Sequence, residues 1–473
     1  MSVHTSSPAL SNAIDPLALH ALRAALQGQL YTPEDEGYDA ARTPWSLHVT
    51  QRPAAVVMAA SADDVVAAVR FARDEGLAVG VQGTGHGAVV PADGALLINT
   101  SRMQGVRVDP EARTAQIEAG VKWGPVLEAA QEFGLAPLLG STTDVGAVGY
   151  SLGGGMGWLA RKYGLAVDSI RSFDIVTADG QLRHVTAESE PELFWGVRGG
   201  AGNFGVVTRL EIELVPVSAV YGGNIFFPIA MAREVMRAYR EWIKALSEDW
   251  TTGIVLMHMP PAPFIPEPLR GQSVVIVRGA FLGDPAEAEA TLRPIRELGG
   301  VLVDAFGPMP FRAADMISQD PVDPMNIQGT TETLADLSDE TIETLIAIAG
   351  RPPESPVVFA EVRHLGGAAH RQRGAGSAFG HRDMEFILFV LAMAHDPAHD
   401  ADITRYLNDA RTALAPHTTG QIYANFLHDV DASAERVRAA YAPETYRRLV
   451  ALKDRYDPTN MFRFNRNIPP SGA

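Results

Sequence analysis

The sequence predicts an α+β protein assembled from two or three parts, on three observations. At 473 residues the chain is too long for one ordinary hydrophobic core, given about 150 residues per domain. The first half sets short apolar strands and helices around three glycine-dense stretches. Beyond Pro216 such stretches cease, and helices (232–250, 284–298, 339–350, 400–414) alternate with strands (273–283, 355–367, 384–394) as in a mainly antiparallel sheet with helices over one face.

Taken in order, Asp15 and Pro16 open a helix that puts Leu19, Leu22 and Leu26 on one face, and Gly28 closes it. Residues 53–60 (PAAVVMAA) read as a buried strand. Ser61, with Asp64 three residues on, caps a helix that runs to Gly76. The next strand, residues 77–83 (LAVGVQG), delivers the chain into the loop GTGHG. This strand, helix, strand unit holds that loop at a sheet edge.

In the loop, His86 is flanked by Gly83, Gly85 and Gly87. The glycines permit tight folding and let a large ligand approach the main chain, and the imidazole is the one reactive side chain there. The pattern fits a loop lying against a flavin dinucleotide bonded to His86. A glycine-rich turn around a capping or core histidine fits the same residues.

Strand-rich sequence follows (ALLINTS, GVRVDP, TAQIEAG), then a helix from Trp123 to about Phe133 stopped by Gly134. Residues 140–157 (GSTTDVGAVGYSLGGGMG) hold seven glycines in eighteen positions. Such a run is poor for core packing but presents successive N–H groups, the concavity that binds phosphate oxygens without a cation. A flexible surface loop is the alternative, against which Val145, Val148 and Leu152 stand in place of a linker's polar residues. In residues 198–205 (RGGAGNFG), Gly200, Gly202 and Gly205 satisfy G-x-G-x-x-G, but a helix precedes and a strand follows. A nicotinamide-binding Rossmann unit needs the reverse order, so the sequence excludes one.

Composition narrows the function further. With 39 basic and 56 acidic residues the formal charge is −17, which argues against nucleic acid and against an anionic membrane surface as partners. The chain has no cysteine, so disulfides and thiolate chemistry are excluded. Residues 1–14 lack a signal-peptide pattern and no apolar run approaches a membrane span, so a soluble cytoplasmic protein is expected. No metal is expected: Pro397 breaks the register that would bring His395 and His399 together. Met231 and Met236 read as core.

Several stretches together carry a resemblance to a known family: GTGHG, LGGGMGWLARKYGLAVDSI from Leu152, ELFWGVRGGAGNFGVVT from Glu192, HLGGAAHR from His364, and the closing YDPTNMF with NIPP. In these motifs the chain resembles flavoproteins of the vanillyl-alcohol oxidase type with a PCMH-type FAD-binding domain, in the berberine-bridge-enzyme-like branch. The resemblance covers nearly the whole chain. It implies an N-terminal tail and helix (1–46), an FAD-binding domain (47–217), an inserted α+β substrate domain (218–429), and a C-terminal segment (430–473) that completes the FAD domain. It implies FAD contacts at Gly83, Thr84, Gly85, His86 and Gly87, then at Thr142, Gly146, Gly149, Ser151, Gly153, Gly154 and Gly157. Asn203, Gly205, Val207, Asn465 and Asn467 complete the implied set. His86 is implied to bond through a ring nitrogen to the C8 methyl carbon of the flavin, which suits a neutral imidazole as nucleophile. Many relatives carry a second link from a cysteine where this chain has Thr142, so attachment here is expected to be single.

The implied reaction moves a hydride from an alcohol or amine carbon of a small molecule to flavin N5, with O2 as the expected acceptor. The usual bases are absent: Phe426 follows Tyr423-Ala424-Asn425 where relatives place a tyrosine, and Arg371 stands where plant relatives have a glutamate. That leaves Tyr423, Glu361 and His364 as candidate proton acceptors, each of which reads as well as an ion pair or pocket wall. By the two-residue period of a strand, Glu361 and Arg363 share one face of VVFAEVRH and His364 takes the other. Two other readings stay open, a flavin dehydrogenase or reductase with another acceptor, and a flavin-binding protein without redox turnover.

Overall fold

The computed structural model describes residues 14–350, 355–393, 397–430 and 432–472. Three sheets organise them. In the first, β1 (Gln29–Tyr31) pairs antiparallel with β2 (Ala55–Met58), and β3 (Val79–Gln82) and β4 (Leu96–Asn99) complete the order β1-β2-β4-β3, the last three strands being parallel. The helix Ala62–Asp74 crosses from β2 to β3, and its N-cap Ser61 accepts a hydrogen bond from the Asp64 amide. Val65, Ala68, Val69 and Ala72 bury its inner face against Val57, Val79 and Ile98.

The second sheet is antiparallel. It comprises β5 (Val106–Asp109), β6 (Thr114–Glu118), β7 (Ile170–Val176), β8 (Leu182–Thr186) and β9 (Val206–Glu213), in the order β5-β6-β9-β7-β8. The glycine stretch 140–157 runs between β6 and β7, so its loop and its short helix Ala147–Leu152 sit beside this sheet.

The third sheet has eight strands: β10 (Ala219–Pro228), β11 (Trp250–His258), β12 (Ser273–Phe281), β13 (Val303–Asp304), β14 (Gly307–Pro310), β15 (Ile327–Leu334), β16 (Val357–His364) and β17 (Phe386–Met393). Their order is β13-β10-β12-β11-β16-β17-β15, with β14 also paired to β10. Every pairing is antiparallel. The helices Ala232–Trp242, Pro285–Arg296, Asp339–Ala349 and Asp400–Leu414 cover one face, packing Val235, Leu292, Leu345 and Leu407 on Ile254, Val275, Val362 and Val390. The other face carries Phe359, Glu361 and Arg363 of β16, and Arg363 reaches across to Ser141 of the glycine stretch.

The C-terminal helix Pro443–Tyr456 returns to the first half, where Leu449 and Leu452 join a core with Trp195, Val197 and Phe204. Met461 and Phe462 enter the core of the first sheet. Lys453, fully buried, ties the return together by donating to Asp457 Oδ2 (2.7 Å), the Asn203 carbonyl (2.8 Å) and the Phe462 carbonyl (3.1 Å).

Two expected boundaries move. The first helix ends at Ala25, because Gly28 passes so close to Met58 that a Cβ would lie 1.9 Å from its carbonyl oxygen. The helix expected over 232–250 stops at Trp242, and Trp250 opens β11. Among the described residues no helix is long and apolar enough to cross a membrane. His395 and Asp396 lie outside the described residues, and within them no group of three or more His, Asp or Glu side chains is placed to hold a metal.

Candidate functional site

The loop after β3 is shaped by its neighbour, residues 44–47. The carbonyls of Thr84 and Gly85 accept hydrogen bonds from the amides of Trp45 (3.2 Å) and Ser46 (3.5 Å). Gly85 has φ +82°, and a Cβ there would lie 2.6 Å from Pro44, so only glycine fits. With the carbonyls engaged on one side, the amides of residues 83–87 donate to no protein acceptor among the described residues. Consecutive bare amides are the donor set that phosphate and ring carbonyl oxygens need.

His86 is held on three sides. Trp45 stacks on it with centroids 4.3 Å apart, Thr84 Oγ1 is 2.9 Å from Nδ1, and Asp144 Oδ2 is 3.7 Å from Nε2. Burial lowers its pKa to about 4, Asp144 opposing and Lys122 assisting, so at neutral pH the ring is an uncharged nucleophile. Lys122 Nζ sits 2.5 Å from Asp144 Oδ1. Trp45, Lys122 and Asp144 were not expected; only the fold brings residues so far apart in sequence around one ring.

The glycines of the stretch 140–157 divide into two kinds. Among the described residues no atom lies within 4 Å of where a Cβ on Gly149 would be, so Gly149 borders open space, whereas a Cβ on Gly146 would make ordinary contact with Thr84 of the His86 loop at 3.5 Å. Thr142 also lies there, its Oγ1 accepting from the Asp144 amide. The others are packed closely against protein. A Cβ on Gly153 would meet Asn425 Oδ1 at 1.9 Å, on Gly154 Phe379 at 2.6 Å, and on Gly157 the Leu139 carbonyl oxygen at 1.7 Å. These glycines exist for close approach of protein to protein. Ser151 is fully buried and its hydroxyl bonds back to the Ala147 carbonyl.

The last cluster is likewise structural in part. Asn203 is 2% exposed and spends its side chain on the Gly200 and Arg466 carbonyls and the Ile468 amide. Gly205 packs on the Val176 carbonyl, and Val207 is buried in the core. Asn465 donates to the Gly202 carbonyl (3.2 Å), whereas its Oδ1, and that of Asn467, are buried acceptors without a partner among the described residues. Buried acceptors lacking donors call for a bound group or water.

The three candidate bases are placed in three different roles. Glu361 is fully buried; it accepts from Arg278 Nε (2.8 Å) and Arg363 Nε (2.9 Å). Burial alone would raise its pKa, but the two guanidiniums hold it below the usual carboxylate range, which suits an anchor for arginines and not a proton acceptor. His364 lies on the opposite face of β16, as the strand period requires. There it meets Arg161 at 2.9 Å and helps line a separate cavity of about 560 Å³, and burial, reinforced by Arg161, lowers its pKa to about 3. Tyr423 is 2% exposed, its hydroxyl accepting from the amides of Gly155 (3.0 Å) and Met156 (3.1 Å), with burial raising its pKa. It is a strut under the glycine turn.

At the positions where bases were missed, Phe426 stacks on Phe389 at 4.9 Å with Arg363 above its ring, and Arg371 pairs with Glu248 at the surface. Arg363 also donates to Ser141 Oγ (3.2 Å), which donates to Asp320 (2.7 Å), so the face of the third sheet is wired to the glycine stretch. The bare amides, the open space at Gly149, the buried acceptors of Asn465 and Asn467, and a neutral imidazole together fit FAD.

Residues 53–186 match the family described as FAD binding domain, and residues 422–469 match berberine and berberine like. The chain is 31% identical to (R)-6-hydroxynicotine oxidase of Paenarthrobacter nicotinovorans, over 95% of this chain and 98% of that one. It is 26% identical to a chitooligosaccharide oxidase of Gibberella zeae, over 90% of this chain and 89% of that one. The crystal structure of 6-hydroxy-D-nicotine oxidase from Arthrobacter nicotinovorans superposes with a TM-score of 0.83 at 27% identity, covering 94% of this chain and 98% of that one.

Proposed function

The chain belongs to the FAD-linked oxidoreductases that join an FAD binding domain to a berberine-like C-terminal segment, and on that premise we propose that it oxidises an alcohol or amine carbon of a small molecule, holding FAD through a single bond to His86 and passing the electrons to O2. The observation that carries this reading is the loop of residues 83–87, with its bare amides beside an uncharged imidazole. When bound, the flavin supplies the hydride acceptor.

The remaining work falls to the chain. Residues 83–87 grip through the main chain, Gly149 leaves room, and the tail brings Asn465 and Asn467 to the same region. Trp45 shields one face of His86 from water. Phe389, Phe426 and Arg363 form a wall where the third sheet faces the glycine stretch, which is where a substrate would be positioned. The relatives named for a hydroxynicotine and for chitooligosaccharides support a small-molecule substrate with an oxidisable amine or alcohol carbon.

The test has three readouts. Acid precipitation of the purified protein is expected to give a yellow pellet; a colourless pellet under a yellow supernatant refutes the bond to His86. Under anaerobic conditions, a panel of alcohols, amines and sugars is expected to include one that bleaches the flavin. Air is then expected to restore the colour with release of H2O2; slow return without peroxide refutes O2 as acceptor.

A further inference from the structure

Asp144 stands in an unusual position beside His86. Its Oδ1 is held by Lys122 Nζ at 2.5 Å, whereas its Oδ2 is buried, has no hydrogen-bond partner among the described residues, and faces His86 Nε2 at 3.7 Å. A buried carboxylate oxygen without a donor is destabilising by about 1–3 kcal/mol or more. The ring N–H of His86 is the donor set before it. At 3.7 Å the contact is too long for a hydrogen bond, but contacts of this kind commonly tighten only when the reacting partner binds.

We propose that Asp144 prepares His86 for attachment to the flavin: it holds the ring proton on Nε2, so that the Nδ1 lone pair attacks the C8 methyl carbon, and it takes the Nε2 proton as the bond forms. The proposal rests on the covalent reading above. The opposite tautomer would set the Nε2 lone pair against a carboxylate oxygen, a repulsive arrangement. In the favoured one, Thr84 Oγ1, 2.9 Å from Nδ1, donates to that lone pair and must turn aside when the flavin arrives. Lys122 keeps Asp144 in place, its own side chain being 44% exposed against 15% for Asp144.

The step balances. The methyl group loses one proton to solvent, the Nδ1–C bond forms, and Asp144 receives the Nε2 proton. The electron pair of the broken C–H bond remains on the ring system as two-electron reduced flavin. O2, the acceptor in the proposed turnover, then removes two electrons and two protons as H2O2.

The experiment compares native protein with Asp144→Asn and Asp144→Glu. Each full-length chain is produced under riboflavin limitation and mixed with FAD, and attachment is followed by flavin fluorescence on denaturing gels. The expected result is at least tenfold slower attachment in D144N, with FAD still bound but released by acid, and partial rescue in D144E. Attachment in D144N at the native rate overturns the proposal. Peptide mapping of the native protein gives a check that no variant's folding can disturb: a link at Nδ1 is expected, and a link at Nε2 overturns it. If native protein releases all its flavin to acid, the covalent reading falls first and the role of Asp144 with it, an outcome distinct from native attachment unaffected by D144N.

Discussion

Replacing Glu361 by glutamine separates an anchor from a base. One carboxylate with no exposed surface serves two arginines, Arg278 with 7% and Arg363 with 13% of the side chain exposed. Glutamine keeps the shape, but it leaves two nearly buried cations without an anion and turns an amide donor toward a guanidinium donor. Breaking a buried pair in this way costs about 3–5 kcal/mol. At about 4 kcal/mol the folding equilibrium moves by nearly three decades, and with a urea dependence near 3 kcal/mol per molar the midpoint falls by about 1.3 M. The assay is urea unfolding followed by tryptophan fluorescence, run beside anaerobic flavin bleaching. Adding Arg278→Leu is expected to recover part of the loss by removing one stranded charge, so the two changes should couple. Because its folded pKa is held below the unfolded value, Glu361 stabilises the protein above the ordinary carboxylate range, and that stability is lost as pH falls through the folded pKa; E361Q should lack this part of the acid dependence. An E361Q protein with a native midpoint and a collapsed bleaching rate would refute the reasoning and restore Glu361 as the proton acceptor.

Three further outcomes follow from named contacts. Gly153→Ala places a Cβ 1.9 Å from Asn425 Oδ1 and is expected to lower stability by about 1–3 kcal/mol in thermal unfolding. Gly149→Ala meets no atom within 4 Å, so it should leave the unfolding midpoint in place yet weaken uptake of FAD by the flavin-free chain; unchanged uptake would mean that Gly149 does not face the cofactor. His364, with a pKa lowered to about 3 by burial and then Arg161, is neutral in the fold while the unfolded chain protonates near pH 6.5. Stability should therefore fall as pH drops from about 6.5 toward 3, by at most roughly 4–5 kcal/mol, and His364→Gln should flatten that slope in acid unfolding measurements.

The fold was legible wherever burial pattern and local chemistry agreed. Ser61 with its helix, the strand into the His86 loop, and the alternation of Glu361 and His364 across β16 all follow from short-range rules. Five strands of the third sheet escaped those rules, the short β13 and β14 and three longer ones. β10 contains two glycines and ends on a proline; Gly223 is demanded by the Ala305 carbonyl, which a Cβ would approach to 2.3 Å. β11 begins at Trp250, directly after a helical run whose charged residues disguise the boundary. β15 (IQGTTETL) is buried at every position although it reads as polar, because its threonines find partners in the sheet: Thr331 Oγ1 donates to the Leu388 carbonyl at 3.0 Å. Tertiary partners decide such segments, and no single stretch carries them.

The site divides in the same way, and its glycines show why. A glycine in sequence says only that a side chain is missing; what fills the missing volume is decided by chain that is distant in sequence. Pro44 forces Gly85, Leu139 forces Gly157, Asn425 forces Gly153, and nothing fills the space at Gly149. Density of glycine therefore cannot by itself tell a close-packed position from an open one. The base candidates show the complementary limit: their residue type suits proton transfer, but each is already engaged, Glu361 by two arginines, Tyr423 by two amides, and His364 by Arg161. A polar side chain buried in a satisfied network is stable because its lone pairs are taken, and those same lone pairs are what acid–base chemistry requires. The productive search runs the other way, toward buried polar atoms that the fold leaves unsatisfied, and beside His86 that atom is Asp144 Oδ2.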